Sequence, residues 1–382
     1  MIIAFVLLWY GLVPVGGAFV TRHNWRVFRR RFDELRLRPF PDYRTYCRGI
    51  GGVYRFIGGF ESLTDGHTLW IRNGELTIPV ELSGAHTYVL PMPEQREDLE
   101  AFDPGEDAPE RIRWDRVSSL TEGAKVFVGG CLLLRGERLT FLSTRDQPLL
   151  VIFYDGPDRS LTIKTILTGR HKNEYWNAIT PYAFILGAFS QIIITINFLF
   201  RPAFRLTVVT ALTALFTPLF PLIPPGILCT LLYQRLRRHA RRLRAYRDLV
   251  RLPLRYLPPN GTEGRLPDGE PYGVRYYSRL PPAPEEKRIP LLVPEETAGR
   301  HGEWYIMGAL GEDSAGSDLP REPRDPFATY GAIPGKPEVL ARRFTVKAYL
   351  LEISAWFVLL AGIGLNIFFI SLIFILIFLP PG

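Results

Sequence analysis

The chain has 382 residues, of which 47% are hydrophobic and 22% are charged, and its formal net charge at pH 7 is +8. Its average composition is that of an ordinary globular protein. The apolar residues, however, are concentrated in four spans, which together contain 102 residues and only one of the 84 charged side chains. Long apolar runs with almost no charge are typical of membrane-spanning helices, so the sequence excludes a soluble cytosolic protein.

The predicted elements are four spans and the polar regions between them. In chain order they are transmembrane helix 1 (2–20), a basic juxtamembrane segment (21–48), a β-rich domain (49–177), transmembrane helix 2 (178–200), transmembrane helix 3 (206–233), a basic amphipathic helix (234–252), a Pro-rich segment (253–347) and transmembrane helix 4 (348–379). The predicted fold class is therefore an α+β membrane protein with four transmembrane helices, a cytoplasmic β-rich domain and a Pro-rich cytoplasmic segment.

Basic residues follow the first and the third span. Residues 21–48 carry nine arginines against three carboxylates, and residues 234–255 carry nine arginines against Asp248. Basic residues gather at the cytoplasmic ends of spans, where anionic headgroups attract them by about 1 kcal/mol per charge. We therefore expect a multi-pass protein of the cell (inner) membrane with both termini outside and both polar regions in the cytoplasm. The arginines predicted to contact the membrane surface are Arg29, Arg30, Arg31, Arg237, Arg238, Arg241 and Arg242.

Two other interpretations of these features are weaker. A cleaved signal peptide, with cleavage after Ala18, needs positive charge ahead of its apolar run, whereas here the positive charge follows the run. Nucleic-acid binding could use the basic charge, but no nucleic-acid-binding module accompanies it, and residues 49–177 carry a net charge of −5. The predicted partners are therefore the anionic bilayer and a protein, and not nucleic acid.

Short apolar runs bounded by Gly, Asn-Gly and Asp-Gly indicate strands in residues 49–177. The predicted strands are Val53–Phe60, His67–Arg72, Leu76–Leu82, Thr87–Leu90, Lys125–Leu134, Arg138–Leu142 and Leu149–Tyr154. Between them, the acidic stretch Glu94–Glu110 lacks the alternating spacing of a calcium-binding loop and is predicted to be a solvated loop.

The β-rich region contains one internal repeat. Glu61–Ile71 aligns with Ser118–Val128, and in each copy a glycine turn precedes a strand of alternating apolar side chains. Duplicated small barrel units would place Gly66 and Gly123 at turns and the alternating apolar side chains in one β core. The alternative is a turn and strand that recur by chance.

The second copy carries a resemblance to known membrane proteins. It reads Leu120-x-Glu122-Gly123-x-x-Val126-x-Val128-x-Gly130-x-Leu132 and follows Trp114. This pattern resembles the OB-like domains of NfeD-type and GIDE-type membrane proteins, and the whole chain resembles uncharacterised multipass membrane proteins of spirochaetes. The resemblance implies an OB-like barrel. GIDE-type ubiquitin ligases also carry a zinc-binding RING, but this chain has three scattered cysteines, so ligase activity is not implied.

Polar residues within spans are candidates for function because they are costly in lipid. Glu352 is the only charged one, and it lies near the cytoplasmic edge of helix 4, where a carboxylate can reach water or pair with an arginine. Gln191, Asn197 and Asn366 can form hydrogen bonds between helices. The four prolines between 218 and 225 predict that the third span is broken, either packed against its neighbours or lining a solute path.

The second polar region begins with an amphipathic helix, Gln234–Arg251, which is predicted to lie on the inner leaflet or to extend the third span and to end before Pro253. The chain from there to Leu340 contains 15 of the 33 prolines, and we expect it to be largely extended or disordered. Short apolar islands are candidate strands that could dock on the first region: Tyr272–Tyr277, Ile289–Val293 and Trp304–Leu310.

The sequence predicts no catalytic, cofactor-binding or metal-binding residues. It contains no Walker A loop, no Gly-x-Ser-x-Gly elbow, no His-Glu-x-x-His and no set of kinase motifs. The favoured function is a membrane-anchored interaction or assembly module. The alternatives are a component of a small-solute transporter or channel, and a membrane enzyme without a recognisable motif.

Overall fold

The computed structural model describes residues 2–43, 46, 49–74, 76–90, 110–112, 124–136, 138–167, 170, 175–259, 261–281, 289–294, 302–311 and 319–378. The chain divides into two units. The helical unit contains residues 1–26, 173–244 and 345–382, and the sheet unit contains residues 27–172 and 245–344.

Four helical stretches are long and apolar enough to cross a membrane, as the sequence predicts. The helices are α1 (Ile2–Leu35), α2 (Asp158–Leu167), α3 (Thr180–Phe198), α4 (Arg205–Phe216), α5 (Gly226–Arg251) and α6 (Pro337–Phe378). The candidate spans are α1, α3, α6 and the stretch Pro202–Leu219 that contains α4. Only 11–28% of the residues in their most apolar windows are buried, which leaves the large apolar exterior that a helix bundle presents to lipid.

Both basic segments are continuous with apolar helices. The first part of the basic juxtamembrane segment is the end of α1, which runs without interruption to Leu35. Similarly, α5 joins the apolar residues after the proline break to the basic amphipathic segment, so the amphipathic helix extends the third span, one of its two predicted alternatives. It ends at Arg251, before Pro253, as predicted.

The third span is broken between α4 and α5, and its contacts with α6 show the direction of the chain. Ser371 contacts Thr213 at 3.4 Å, Asn366 donates hydrogen bonds to the carbonyls of residues 220 and 223, and the Trp356 ring lies 5.8 Å from that of Tyr233. Residue numbers therefore increase along the third span as those of its contacts on α6 decrease, so the third span and α6 are antiparallel. The contacts from Ser371 to Glu352, which pairs with Arg244, extend over about 28 Å of α6 at 1.5 Å per residue. The break bends the predicted span without reversing it.

The sheet unit contains all seven strands predicted for its first part and an eighth, Glu110–Ile112, that was not predicted. The strands are β1 (Gly52–Thr64), β2 (Thr68–Asn73), β3 (Leu76–Glu81), β4 (His86–Leu90), β5 (Glu110–Ile112), β6 (Lys125–Arg135), β7 (Arg138–Leu142) and β8 (Leu150–Tyr154). Strands β1, β2, β3, β7 and β6 pair in that order, and β6 also pairs with β1, which closes a five-stranded barrel. Within the barrel only the β3–β7 pair is parallel. Strands β8, β4 and β5 continue the sheet outward from β6.

The two copies of the sequence repeat contribute strands to one barrel. Leu69 and Ile71 of the first copy and Val126 and Val128 of the second are fully buried in the same core, as predicted. Gly66 occupies the β1–β2 turn with φ +70°, a conformation that side chains disfavour. Both copies therefore contribute strands to one closed barrel. Leu120, Gly123 and most of the acidic stretch Glu94–Glu110 lie outside the described residues.

The Pro-rich segment forms a second sheet, so the expectation that it is largely extended or disordered is wrong for its described residues. Strands β9 (Glu263–Arg265), β10 (Pro271–Tyr277), β11 (Trp304–Ala309) and β12 (Gly331–Pro334) pair in antiparallel order. Two of the predicted apolar islands form β10 and β11, and pairing buries Tyr272 and Ile306 completely. Prolines stand at strand ends, where a missing N–H costs little. Phe327 adds to the core, with its ring 5.3 Å from that of Phe127 in the barrel.

Candidate functional site

The outer face of the barrel carries a groove across β2, β3, β6 and β7. Leu69 and Ile71 point into the core, so the alternation of side chains along a strand places Trp70 on the outer face. The groove has a volume of about 460 Å³, and we call it the Trp70 groove. It is lined by Asp65, His67, Thr68, Trp70, Pro79, Glu81, Arg135, Arg138 and Thr140.

Glu81 is the most strongly held charge in the Trp70 groove. Its carboxylate accepts a hydrogen bond from the Ser83 hydroxyl at 2.7 Å and one from the Arg135 guanidinium at 2.7 Å, and it lies 3.9 Å from His67 Nε2. Burial opposes ionisation of this group, but these two hydrogen bonds, together with the nearby His67 imidazole, outweigh it and lower the pKa of the Glu81 carboxyl. Glu81 is therefore a fixed negative charge at neutral pH.

Trp70 supplies an aromatic surface beside these charges. Its indole N–H donates to the Thr64 hydroxyl at 3.0 Å, which fixes the orientation of the ring. The Arg138 guanidinium lies 5.9 Å from the ring centroid, within the range of a cation–π contact. Trp70 is half-buried, so part of its ring is available to a ligand.

The charges of the Trp70 groove are balanced. Asp65 and Glu81 are matched by Arg135 and Arg138, with His67 between them. Such a surface suits an extended polar polypeptide that carries both signs of charge, and it lacks the excess positive charge that a phosphodiester backbone requires. Among the described residues, no group of three or more His, Cys, Asp or Glu side chains is arranged to hold a metal ion.

The predicted membrane-surface arginines of α1 differ in their surroundings. Arg30 is exposed and pairs with Glu34 at 2.9 Å, whereas Arg29 and Arg31 are half-buried. Of the four on α5, Arg238 and Arg242 are exposed, as a lipid-contacting role requires. The other two turn toward protein: Arg237 bonds to the Tyr233 hydroxyl and lies over its ring, and Arg241 is only 7% exposed.

The polar residues predicted within the spans also separate into two groups. Glu352 pairs with Arg244 at 2.5 Å, and Asn366 donates to the carbonyls of Phe220 and Ile223 at 2.6 and 2.9 Å. The Phe220 carbonyl lies in the proline break, where Pro224 has no N–H to offer it, so Asn366 satisfies it from the neighbouring helix, whereas the Ile223 carbonyl also accepts from the Ile227 N–H at 3.1 Å. Asn197 is exposed. Gln191 is fully buried, and its amide has no partner among the described residues.

Sequence reasoning missed a buried ion pair in the sheet unit. Arg55 of β1 pairs with Asp325 at 2.5 Å, with side-chain exposures of 0% and 1%. The Arg55 guanidinium also lies 4.4 Å from the centroid of the Phe40 ring and 5.1 Å from that of Phe327. The contact joins the barrel to the Pro-rich segment, and no local sequence signal connects residues so far apart.

No protein-family model matches the chain, and no curated protein or solved structure is significantly similar to it.

Proposed function

We propose that the protein is a membrane-anchored interaction module in which an OB-like barrel binds a protein partner. The four candidate spans provide the anchor. The barrel has the five strands and non-sequential strand order of a small Greek-key barrel, and OB-fold barrels bind ligands on the face of their second and third strands. In this chain that face carries the Trp70 groove.

The observation that carries the proposal is the charge balance of the groove around an oriented aromatic ring. Aromatic and arginine side chains contribute most to binding at protein interfaces. Trp70 and Arg138 lie together in this groove, which is also lined by the carboxylate of Glu81. The occupant that fits is an extended segment of a protein with both acidic and basic side chains.

Site-specific photocrosslinking in native membranes tests this proposal. A photoreactive residue at position 138, which is exposed in the groove, is expected to capture one defined protein. The same residue at position 155, which is exposed outside the groove, is the matched control. The captured protein is then purified and its binding to the full-length chain is measured, with Trp70→Leu and Arg135→Glu expected to weaken the binding at least tenfold.

Capture that is equal at positions 138 and 155, or binding that survives both groove substitutions, would contradict the proposal. The transport alternative has less support, because Arg244 pairs with Glu352 and Asn366 satisfies the Phe220 carbonyl of the break. Both are features of a packed bundle.

The orientation and the lipid contacts are part of the same proposal. We infer that both polar regions are cytoplasmic and that the exposed arginines Arg30, Arg238 and Arg242 contact anionic headgroups. Introduced cysteines at positions 155 and 265, both exposed, should react with an impermeant maleimide only after cells are permeabilised. Labelling in intact cells would contradict this orientation and place the labelled region outside the cytoplasm.

A further inference from the structure

A second concavity, of about 310 Å³, lies within the sheet unit between α1, α2, the end of α5 and the turn Pro253–Tyr256. Seven arginines and two aspartates line it, a formal excess of five positive charges. We call it the arginine pocket. Arg29 and Arg30 are part of it, but most of its arginines were not among those that the sequence assigned to the membrane surface.

Both aspartates of the arginine pocket are already shared between two arginines. Asp33 accepts a hydrogen bond from Arg36 Nε at 2.7 Å and also pairs with Arg255. In the same way, Asp248 pairs with Arg247 at 2.6 Å and with Arg170. Each carboxylate therefore compensates only half of the positive charge next to it, and although Arg30 pairs with Glu34 beside the pocket, an excess of positive charge remains.

Three buried donors of the arginine pocket have no partner among the described residues. Arg36 is fully buried, and while its Nε and Nη1 bond to Asp33 and to the Tyr256 hydroxyl, its Nη2 is unpaired. The hydroxyls of Thr162 and Thr165 on α2, which are 5% and 1% exposed, are unpaired as well. Buried polar atoms nearly always have a partner, so three such donors lining one basic pocket indicate a ligand.

The threonines of the helical unit show what these hydroxyls lack. Thr210 and Thr213 each donate to the carbonyl four residues earlier, at 2.8 and 2.9 Å, which is the usual way for a helix to satisfy a hydroxyl. Thr162 and Thr165 are also in a helix, yet neither hydroxyl forms this bond. Their hydroxyls are thus available to an acceptor in the pocket.

We propose that the arginine pocket binds a phosphate-bearing anion, held by Arg36 Nη2 and the hydroxyls of Thr162 and Thr165. Guanidinium groups bind phosphate oxygens with charge-assisted hydrogen bonds, and their charge persists at every physiological pH. A phosphate monoester carries up to two negative charges and several acceptor oxygens, so it matches both the excess charge and the three donors. The ligand is either a soluble phosphate or the headgroup of an anionic lipid. The proposal is independent of the Trp70 groove.

Thermal unfolding of the full-length protein in nanodiscs tests the proposal in two arms. In phosphatidylcholine nanodiscs, inorganic phosphate is titrated against sodium chloride of equal ionic strength. In the second arm, the nanodiscs contain phosphatidic acid and no phosphate is added. A stabilisation specific to phosphate in the first arm identifies a soluble ligand, and one confined to the second arm identifies a headgroup, because a ligand that binds only the folded state raises its stability.

Substitutions test whether the stabilisation by phosphate or by phosphatidic acid arises from the arginine pocket. The double variant Thr162→Val/Thr165→Val keeps the shape of both side chains and should weaken anion binding about tenfold or more, since each lost hydrogen bond is to a charged ligand. Thr87→Val is the matched control, because Thr87 in β4 also has a buried unpaired hydroxyl but lies outside the pocket. Arg36→Lys keeps the charge, removes Nη2 and should weaken binding similarly.

Two results would overturn the proposal. One is that phosphate and chloride have equal effects and phosphatidic acid has none. The other is that Thr162→Val/Thr165→Val responds to the anion as the parent protein does. If Arg36→Lys fails to fold, the threonine variants, which leave every recorded ion pair in place, still decide between the outcomes.

Discussion

The pair Arg55–Asp325 is the contact whose loss we expect to destabilise the sheet unit most. The two side chains meet at 2.5 Å with 0% and 1% exposure, and Asp325 also accepts a hydrogen bond from the Phe327 backbone N–H at 3.0 Å. Because water does not reach either group, substitution of one partner leaves the other as an uncompensated buried charge.

The unpaired buried charge sets the loss of stability that either single substitution causes. Removing one partner of a buried ion pair costs about 3–5 kcal/mol. We therefore expect Arg55→Met and Asp325→Asn each to lower the free energy of unfolding by about this amount, and the apparent melting temperature by roughly 6–20 °C at about 2–4 °C per kcal/mol. The double variant Arg55→Met/Asp325→Asn leaves no buried charge and keeps an acceptor for the Phe327 N–H, so it should recover most of the loss.

Thermal unfolding of the purified full-length protein, followed by tryptophan fluorescence, measures these changes. Arg30→Met is the control, because the Arg30–Glu34 pair is 83% and 57% exposed and such pairs contribute little to stability. The reasoning is refuted if the single variants melt within the range of this control, or if the double variant is as unstable as either single variant.

Three further predictions concern the break, the barrel and the groove. Asn366→Leu removes the donor to the Phe220 carbonyl in the proline break and should lower the free energy of unfolding by about 1–3 kcal/mol, while Asn197→Leu, an exposed position, should change it little. Gly58→Ala should destabilise the barrel strongly, because the new Cβ would lie 2.4 Å from a backbone carbonyl of β2, whereas Gly59→Ala meets nothing within 4 Å and should melt like the parent. Since the folded-state pKa of Glu81 is below its ordinary value of 4.5, its stabilisation is complete above that value and is lost as the pH falls through the folded pKa. Glu81→Gln should therefore flatten the acid limb of the stability profile, and an unchanged limb would assign the acid sensitivity to other carboxyls.

The barrel and the spans were predictable because their signals are local. Glycine turns such as that at Gly66 require a backbone conformation that few other residues adopt, and they divide the chain at the right places. The spans are likewise predictable from local composition alone. The closure of the barrel was not predictable in the same way, since it depends on β6 pairing with β1, a contact between distant segments.

The second sheet failed as a sequence prediction because its core is assembled from separate pieces. Each apolar island is too short to bury a core, and prolines flank most of them. Strands β10 and β11 pair with each other, and Phe327 packs against Phe127 of the barrel. Composition indicates whether a segment can bury a core by itself, and it carries no information on contacts such as these with other parts of the chain.

The arginines show most clearly that a local sequence pattern does not determine the role of a side chain. A basic helix face contacts lipid or water only if no other element packs on it. Here Thr162 and Thr165 of α2 lie beside the basic parts of α1 and α5. An arginine buried for structural reasons is expected to have its own carboxylate, as Arg55 has Asp325. Around Arg36, by contrast, two aspartates serve four arginines, so positive charge is left without a carboxylate. The same residue type therefore closes the fold at Arg55 and indicates an anionic ligand at Arg36, and only the three-dimensional balance of charge separates the two roles.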